Sequence, residues 1–343
     1  MNTLKPFIIP IFLPQAGCSH KCVFCDQYAI TGSRKARPDL QSVTETIHTF
    51  LTYNHRKHSE VQLSFYGGNF LGLPENYLIQ LLELAQSFVN QKQIDSIRFS
   101  TRPDTVTQNQ LQLLKNYAIK TVELGVQSMD DHVLLLSQRG HKAIDSCRAT
   151  ECLKDSGYQI GHQLMIGLPG ETEDSFYQSV TQVIRMRPDF VRLYPAVVLK
   201  GSLLADEYTS GRYHPLSLEK AVTLAKKSWI LFHSHKIPVI RMGLHSQKDI
   251  EKNILAGPFH PAFGHMVHSE RMFDRVTEKI NRSHSNEITI LANPEDMSPL
   301  IGIQQSNLKK LRSQFPKKRI QIVSDPGIKD ICILENLKKN KGG

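Results

Sequence analysis

Nowhere in its 343 residues does the chain have an apolar run near the roughly 20 residues of a bilayer-spanning helix, which argues against a membrane-spanning segment. Met1-Asn2-Thr3-Leu4-Lys5-Pro6 lacks the basic-then-apolar design of an export signal, so the expected location is the cytoplasm. Internal repeats and low-complexity tracts are missing, which excludes solenoid and fibrous architectures. Cysteine is scarce. Six in a chain of this size do not make a disulfide framework, and three of the six fall between positions 18 and 25. Acidic residues are also in deficit: 32 Asp and Glu face 42 Lys and Arg, a net charge of +10. The shortage is concentrated at one end. From Gln305 to Gly343 ten basic residues stand against three acids. A basic stretch of that kind either draws in nucleic acid or forms an ordinary solvated surface.

What the chain does have is Gly17-Cys18-Ser19-His20-Lys21-Cys22-Val23-Phe24-Cys25, directly after an apolar, strand-like run. The spacing C-x₃-C-x₂-C lets one loop aim three thiolates at one centre, as iron–sulfur clusters and structural zinc require. Three ligands leave one iron of a 4Fe–4S cluster open. A closed zinc site would instead recruit His20 or a distant cysteine as its fourth ligand. Cys147, Cys152 and Cys332 read as small core residues.

The rest of the chain alternates. Strands are expected at Phe7–Leu13, Val61–Tyr66, Ile94–Ser100, Thr121–Val126, Ile160–Ile166 and Phe190–Tyr194. Helices are expected near 40–54, 74–89, 108–117, 143–155 and 173–186. Near-continuous apolar strands between amphipathic helices imply an α/β fold with a parallel sheet, its loops gathered at the C-terminal edge of the strands. Beyond Pro195 the pattern loosens to a helix at 217–233, a further strand at 237–241, a helix at 266–280 and a small basic α/β module.

The segments "GCSHKCVFC", "FYGGNF", "STRPD", "ELGVQS", "RGH", "LMIGLPGET" and "RLYPAVVLKGS" come in one order over roughly residues 5–235. Together they resemble the radical S-adenosylmethionine (SAM) superfamily, and within it the radical-SAM half of the Elongator catalytic subunit and its bacterial relatives. The resemblance implies a partial (β/α)6 barrel over residues 1–235, a barrel-covering extension over 236–284 and a small α/β module over 285–343. It implies that Cys18, Cys22 and Cys25 ligate a 4Fe–4S cluster whose open iron binds SAM. An electron from the cluster would split the sulfonium and yield a 5′-deoxyadenosyl radical.

The same resemblance transfers cofactor contacts position by position. Gly67, Gly68 and Asn69 stand where the family carries GGE, backbone that approaches the methionine amino group, with an amide carbonyl here in place of the acid. Ser100 stands where Elongator-type sequences have a ribose-binding Glu. Gln127 and Arg139 match the pair that holds ribose and the SAM carboxylate. Gln163 occupies a position on the adenosine pocket where the relatives have His. An electron donor such as flavodoxin or ferredoxin is implied as partner. The Elongator subunit continues into an acetyltransferase domain, and residues 285–343 show no acyl-CoA-binding pattern, so acetyl transfer is not expected to carry over. The substrate stays open between tRNA or other RNA, met through the basic C-terminal region, and a small molecule, since porphyrinogen-oxidising relatives share "GVQS" and "GLP". A non-catalytic, metal-bearing RNA-binding protein is the third reading.

Overall fold

The computed structural model describes residues 6–14, 16–26, 37–53, 60–244 and 248–335. Two compact units emerge, one of residues 1–221 with 228–261 and one of residues 222–227 with 262–343.

The first unit is built on strands β1 (Phe7–Phe12), β2 (Val61–Tyr66), β3 (Ser96–Thr101), β4 (Ile119–Gln127), β5 (Gln159–Ile166), β6 (Phe190–Pro195), β7 (Val198–Leu199), β8 (Val239–Met242) and β9 (Ile254–Ala256). Its helices are α1 (Leu40–Thr52), α2 (Glu75–Asn90), α3 (Gln108–Leu114), α4 (Asp131–Leu136), α5 (Ala143–Asp155), α6 (Glu173–Met186), α7 (Leu203–Thr209), α8 (Leu218–Ser234, except residues 222–227) and α9 (Lys248–Asn253). Seven strands form one parallel sheet in the order β1-β2-β3-β4-β5-β6-β8, curled as a half-barrel. The two ends of that order are not joined, so the barrel is partial. The expected α/β barrel is therefore present, with β8 extending it to a seventh strand.

Burial explains the sequence pattern. Every residue of β3 is buried, and β2 is buried up to Tyr66, because helices cover one face and the barrel interior the other. The edge strand β1 alternates instead. Phe65 and Phe99 both stack on Phe70, with ring centroids 4.7 Å apart in each pair. That stack pins the turn after β2, and with it Gly67-Gly68-Asn69, against the sheet. Short helices that sequence periodicity could not resolve begin at side-chain caps. Asp130 caps α4 by accepting from His132 N and Val133 N, and Ser202 caps α7 by accepting from Ala205 N.

The second unit contains α10 (Phe263–Asn281), β10 (Glu287–Ala292), α11 (Pro294–Ile301), α12 (Ser306–Gln314), β11 (Arg319–Ser324) and β12 (Cys332–Glu335). Strand β10 is central, parallel to β11 and antiparallel to β12. Here the structure differs from the sequence-based division. Helix α10 belongs to this unit, because Met272, Val276 and Ile280 share one core with Ile288, Ile290, Leu300 and Leu311. Cys332 is partly exposed, as are Cys147 and Cys152, so none of the three is the buried core residue that the sequence suggested. Among the described residues, no helix is long and apolar enough to cross a membrane.

Candidate active site

Because the seven strands are parallel, their C-terminal ends meet on one edge, where α/β folds gather their chemistry. A cavity of about 940 Å³ opens there. Its wall includes Cys18, Cys22 and Cys25 from the loop after β1, Gly67 and Gly68 after β2, and Ser100 on β3. Gln127 at the end of β4, Arg139 after α4 and Gln163 on β5 complete the set expected from the sequence, with one exception.

The exception is Asn69. Its side chain is buried away from the cavity and spent on the protein itself. The amide Nδ2 donates to Gly17 O at 3.0 Å. Its Oδ1 accepts from Thr101 Oγ1 (2.6 Å), Thr105 Oγ1 (2.9 Å) and Arg102 N (3.0 Å). Asn69 is thus a tie between the cysteine loop and the end of β3, and its carbonyl has no capacity left for an amino group. Glycine is needed around that tie. Gly17 has φ +72° and a Cβ there would sit 2.2 Å from Asn69 O, while Gly68 has φ +58° and a Cβ would sit 2.3 Å from Ala16 O.

The three thiols share one wall, and none is in a disulfide. Cys22 is buried, and its Sγ accepts from Arg139 Nη1 at 3.2 Å. Burial and the neighbouring Cys22 push the Cys18 thiol above its ordinary value, while Arg102 and Arg139 pull it down. The two arginines offset only part of that rise, and a coordinated metal deprotonates such a thiol outright. Among the described residues, no three His, Cys, Asp or Glu groups converge on a single-ion site. The donors present, three thiols spread on one wall beside buried arginines, fit a multi-iron cluster, whose ligands each meet a different iron.

The residues beside the thiols leave polar atoms unmet. Arg139 donates from Nη2 to Gly125 O at 2.6 Å, but its Nε is buried without a partner. Gln127 Oε1 is buried and unpartnered as well. Gln127 also holds a left-handed backbone (φ 66°) at a register shift in the β4–β5 pairing. A non-glycine residue held there costs on the order of 1–3 kcal/mol and recurs at functional sites. A Cβ on Gly125 would meet Gln127 Nε2 at 3.1 Å and Arg139 Nη2 at 3.2 Å, so glycine there makes room for both side chains. Both residues line the cavity, and buried polar atoms left without partners there point to a missing polar ligand or water. This pattern fits the carboxylate and ribose of SAM. Arg102 lines the same wall, paired with Asp104 (Nη2–Oδ2, 2.9 Å) and donating to Arg139 O. His141, two residues after Arg139 in the chain, is kept neutral: burial, then Arg139, lower its pKa to about 4.

Across the cavity lies a charge network that motif reading missed. Glu123 on β4 is fully buried and meets Arg98 on β3 (Oε1–Nη2, 2.6 Å) and Arg192 on β6 (Oε2–Nε, 2.7 Å). Gln163 Nε2 donates to Glu123 Oε2 at 3.0 Å and to Ser100 Oγ at 3.2 Å. Burial alone would raise the Glu123 carboxyl, but Arg192 and Arg98 outweigh it and hold it below the usual carboxylate range. Tyr66, Tyr194 and Arg241 complete this side of the cavity. A signal did exist in the sequence. Arg98, Glu123 and Arg192 are charges in the middle of strands, flanked on each side by apolar residues, and such charges are buried only with partners.

Comparison with known proteins gives the family and the fold. The family model described as the Radical SAM superfamily matches residues 12–183, and that of the radical SAM C-terminal domain matches residues 188–272. A tRNA uridine(34) acetyltransferase of Methanocaldococcus infernus is 34% identical over 125 residues, which are 36% of this chain and 23% of that protein. Elongator complex protein 3 of Homo sapiens is 28% identical over 222 residues, covering 58% of this chain and 41% of that protein. The chain thus spans less than half the length of these two relatives. In fold it is similar to an archaeal Elp3 from Methanocaldococcus infernus with an N-terminal deletion. That match has a TM-score of 0.60 and 20% identity, and covers 82% of this chain and 65% of that one. With half of its residues matched by the superfamily model and the three cysteines of the first loop on the wall of the barrel cavity, this chain belongs to the radical SAM superfamily.

Proposed function

We propose that the protein is an enzyme that cleaves SAM reductively at a 4Fe–4S cluster held by Cys18, Cys22 and Cys25, and acts on a uridine-containing RNA. The observation that carries the reading is the meeting of three thiols outside any disulfide with Arg139 and Gln127 on one cavity. When bound, the cluster and SAM supply an electron and an adenosyl group competent for hydrogen abstraction. The chain's own residues do the positioning. Arg102 and Arg139 pull the Cys18 thiol down against burial, and Arg139 brings a guanidinium to the cavity for a carboxylate. Gln127 offers a carbonyl to a ribose hydroxyl. Gly67 and Gly68 let backbone approach the methionine end. Ser100 and Gln163, held together by their own hydrogen bond, line the adenosine side. Asn69 acts one step back, fixing the loop that carries the cysteines.

RNA is the preferred substrate class because relatives act on tRNA uridine by name and because the C-terminal unit is basic. Lys309, Arg312, Lys317 and Arg319 are exposed there. An electron donor of the flavodoxin or ferredoxin type and a cytoplasmic setting belong to the same reading, which assigns no acetyl transfer.

The test is anaerobic reconstitution followed by iron and sulfide analysis, incubation with SAM and a strong reductant, and sequencing of any co-purified RNA. About four irons per chain, 5′-deoxyadenosine as product and loss of iron in Cys18→Ala, Cys22→Ala or Cys25→Ala are expected. Stoichiometric zinc without iron would overturn the cluster assignment. Nucleic-acid-free protein that ignores tRNA would move the substrate to a small molecule.

A further inference from the structure

Arg192 and Arg241 are paired in register on the adjacent parallel strands β6 and β8, and both line the cavity. Two guanidiniums side by side repel each other, and burial sharpens the repulsion. Arg192 has its counter-ion in Glu123. Arg241 has none among the described residues. Its Nε donates to the backbone carbonyl of Gly243 at 3.2 Å, and its terminal nitrogens have no carboxylate partner. Burial, with the like charge of Arg192 acting in the same direction, lowers the Arg241 guanidinium below its ordinary value. Among the described residues the charges around these two cations do not balance, since Glu123 pairs with Arg98 and Arg192 and not with Arg241.

Two phenols complete the corner. Tyr66 Oη accepts from Arg192 Nη2 at 3.3 Å, and the Arg192 guanidinium lies 5.8 Å from the Tyr66 ring centre. Tyr194, two residues beyond Arg192 on β6, lines the same corner, and burial raises its hydroxyl's pKa, so it remains a hydrogen-bond donor at neutral pH. A guanidinium with open prongs and a phenol beside it form a donor set for an oxyanion.

We propose that Arg241, with Tyr194 and the neighbouring Arg192, forms a substrate subsite for an oxyanion, a phosphate or a carboxylate carried by the molecule on which the radical acts. The proposal rests on the assignment of the thiol side of the cavity to cluster and SAM. The volume is consistent with two occupants: about 940 Å³ lies at the upper end of the range for a single small-ligand pocket. Arg241 is the specificity-determining residue. It supplies a charge that no carboxylate among the described residues satisfies, while Arg192 is braced in place by Glu123.

The experiment measures anion binding by equilibrium dialysis on anaerobically reconstituted protein at saturating SAM, at low ionic strength. Uridine 5′-monophosphate, uridine and succinate are the probes. Wild type should bind one of the two anions measurably better than uridine. Arg241→Gln should weaken that anion by about tenfold or more, the scale of a lost charge-assisted hydrogen bond. Arg241→Lys should recover part of the loss, and Lys220→Gln, which removes a surface charge outside the cavity, should change nothing. Preference for the nucleotide identifies a phosphate source, and preference for succinate identifies a small acid; either supports the subsite. Equal anion binding by wild type and Arg241→Gln overturns it. A second measurement needs no variant. The favoured anion should slow modification of Arg241 by phenylglyoxal, read by peptide mass, and unprotected Arg241 would overturn the proposal. Iron content and SAM binding of wild type report separately on the radical SAM reading, so the two can fail independently.

Discussion

Replacing Glu123 by Gln removes one charge and almost no volume, which makes it the sharpest test of how the barrel floor is held together. The carboxylate is fully buried and ion-paired to both Arg98 and Arg192. Losing it leaves two buried guanidiniums facing a neutral amide. Breaking a buried pair by deleting one partner costs about 3–5 kcal/mol, because the remaining charge is uncompensated. With an m-value of about 3 kcal/mol per molar urea, that shifts the unfolding midpoint down by about 1–1.7 M. The protein's single tryptophan, Trp229, belongs to the first compact unit, so its fluorescence follows the relevant transition. Lys220→Gln is the control. It removes a partly exposed partner of Glu173 and should cost only about 0–1 kcal/mol. The pH dependence carries a sign. Arg192 and Arg98 hold the folded Glu123 carboxyl below its unfolded value of about 4.3, so its contribution is present above that pH and is lost as pH falls below it. Wild type and Glu123→Gln should therefore converge in stability on acidification below pH ~4. A loss under about 1 kcal/mol at neutral pH would show that the cavity hydrates these charges, and the argument from buried charge would fail.

Asn69→Ala leaves Gly17 O and Arg102 N without their buried partner; a loss of about 2–4 kcal/mol in chemical denaturation and lower iron uptake on reconstitution are expected. Unchanged iron uptake would show that the cysteine loop is fixed by other contacts. Burial raises the Glu171 carboxyl to about 8, although Gly167 N donates to its Oε2 at 2.6 Å. A raised carboxyl stabilises the fold fully below its unfolded value of about 4.3 and loses that contribution as pH rises towards 8. Glu171→Gln should therefore gain on wild type in stability between pH 5 and 8, measured by urea midpoints at each pH; a constant difference would refute the shift. Lys318 Nζ donates to Ser283 O (2.9 Å) and Ser285 O (2.8 Å), so it holds a loop of the second unit. Lys318→Gln should lower that unit's melting temperature, while Lys309→Gln, Arg312→Gln, Lys317→Gln and Arg319→Gln together should leave it in place. If RNA binds this face, the four-fold variant should reduce the slope of log affinity against log salt by about 3, at ~0.7 per single-strand phosphate contact. An unchanged slope would make the face an ordinary solvated surface.

The chain's own sequence determined its strand order of appearance, the parallel sheet and the cysteine loop, because these are local. Short β-prone segments such as Val61–Tyr66 and Ile160–Ile166, each ended by glycine and alternating with amphipathic helices, point to a sheet covered on both faces, and C-x₃-C-x₂-C needs only one loop to converge. Boundaries of the long helices followed from the same periodicity: helices α5 and α6 lie at 143–155 and 173–186 as read. Tertiary structure decided what depends on partners far apart in sequence. Asn69 reads as a ligand contact by its place after Gly67-Gly68, yet Thr101, Arg102 and Gly17 converge on it and consume its hydrogen bonds. Glu123 is one acid in an apolar strand until Arg98 and Arg192 arrive from strands 25 and 69 residues away. Arg241 gains its meaning only from register, because pairing of β6 with β8 sets it beside a cation already neutralised by another residue. Helix α10 shows the same limit. Its apolar stripe announces that it packs, but the stripe alone cannot say against what, and the core it shares with β10 assigns it to the second unit.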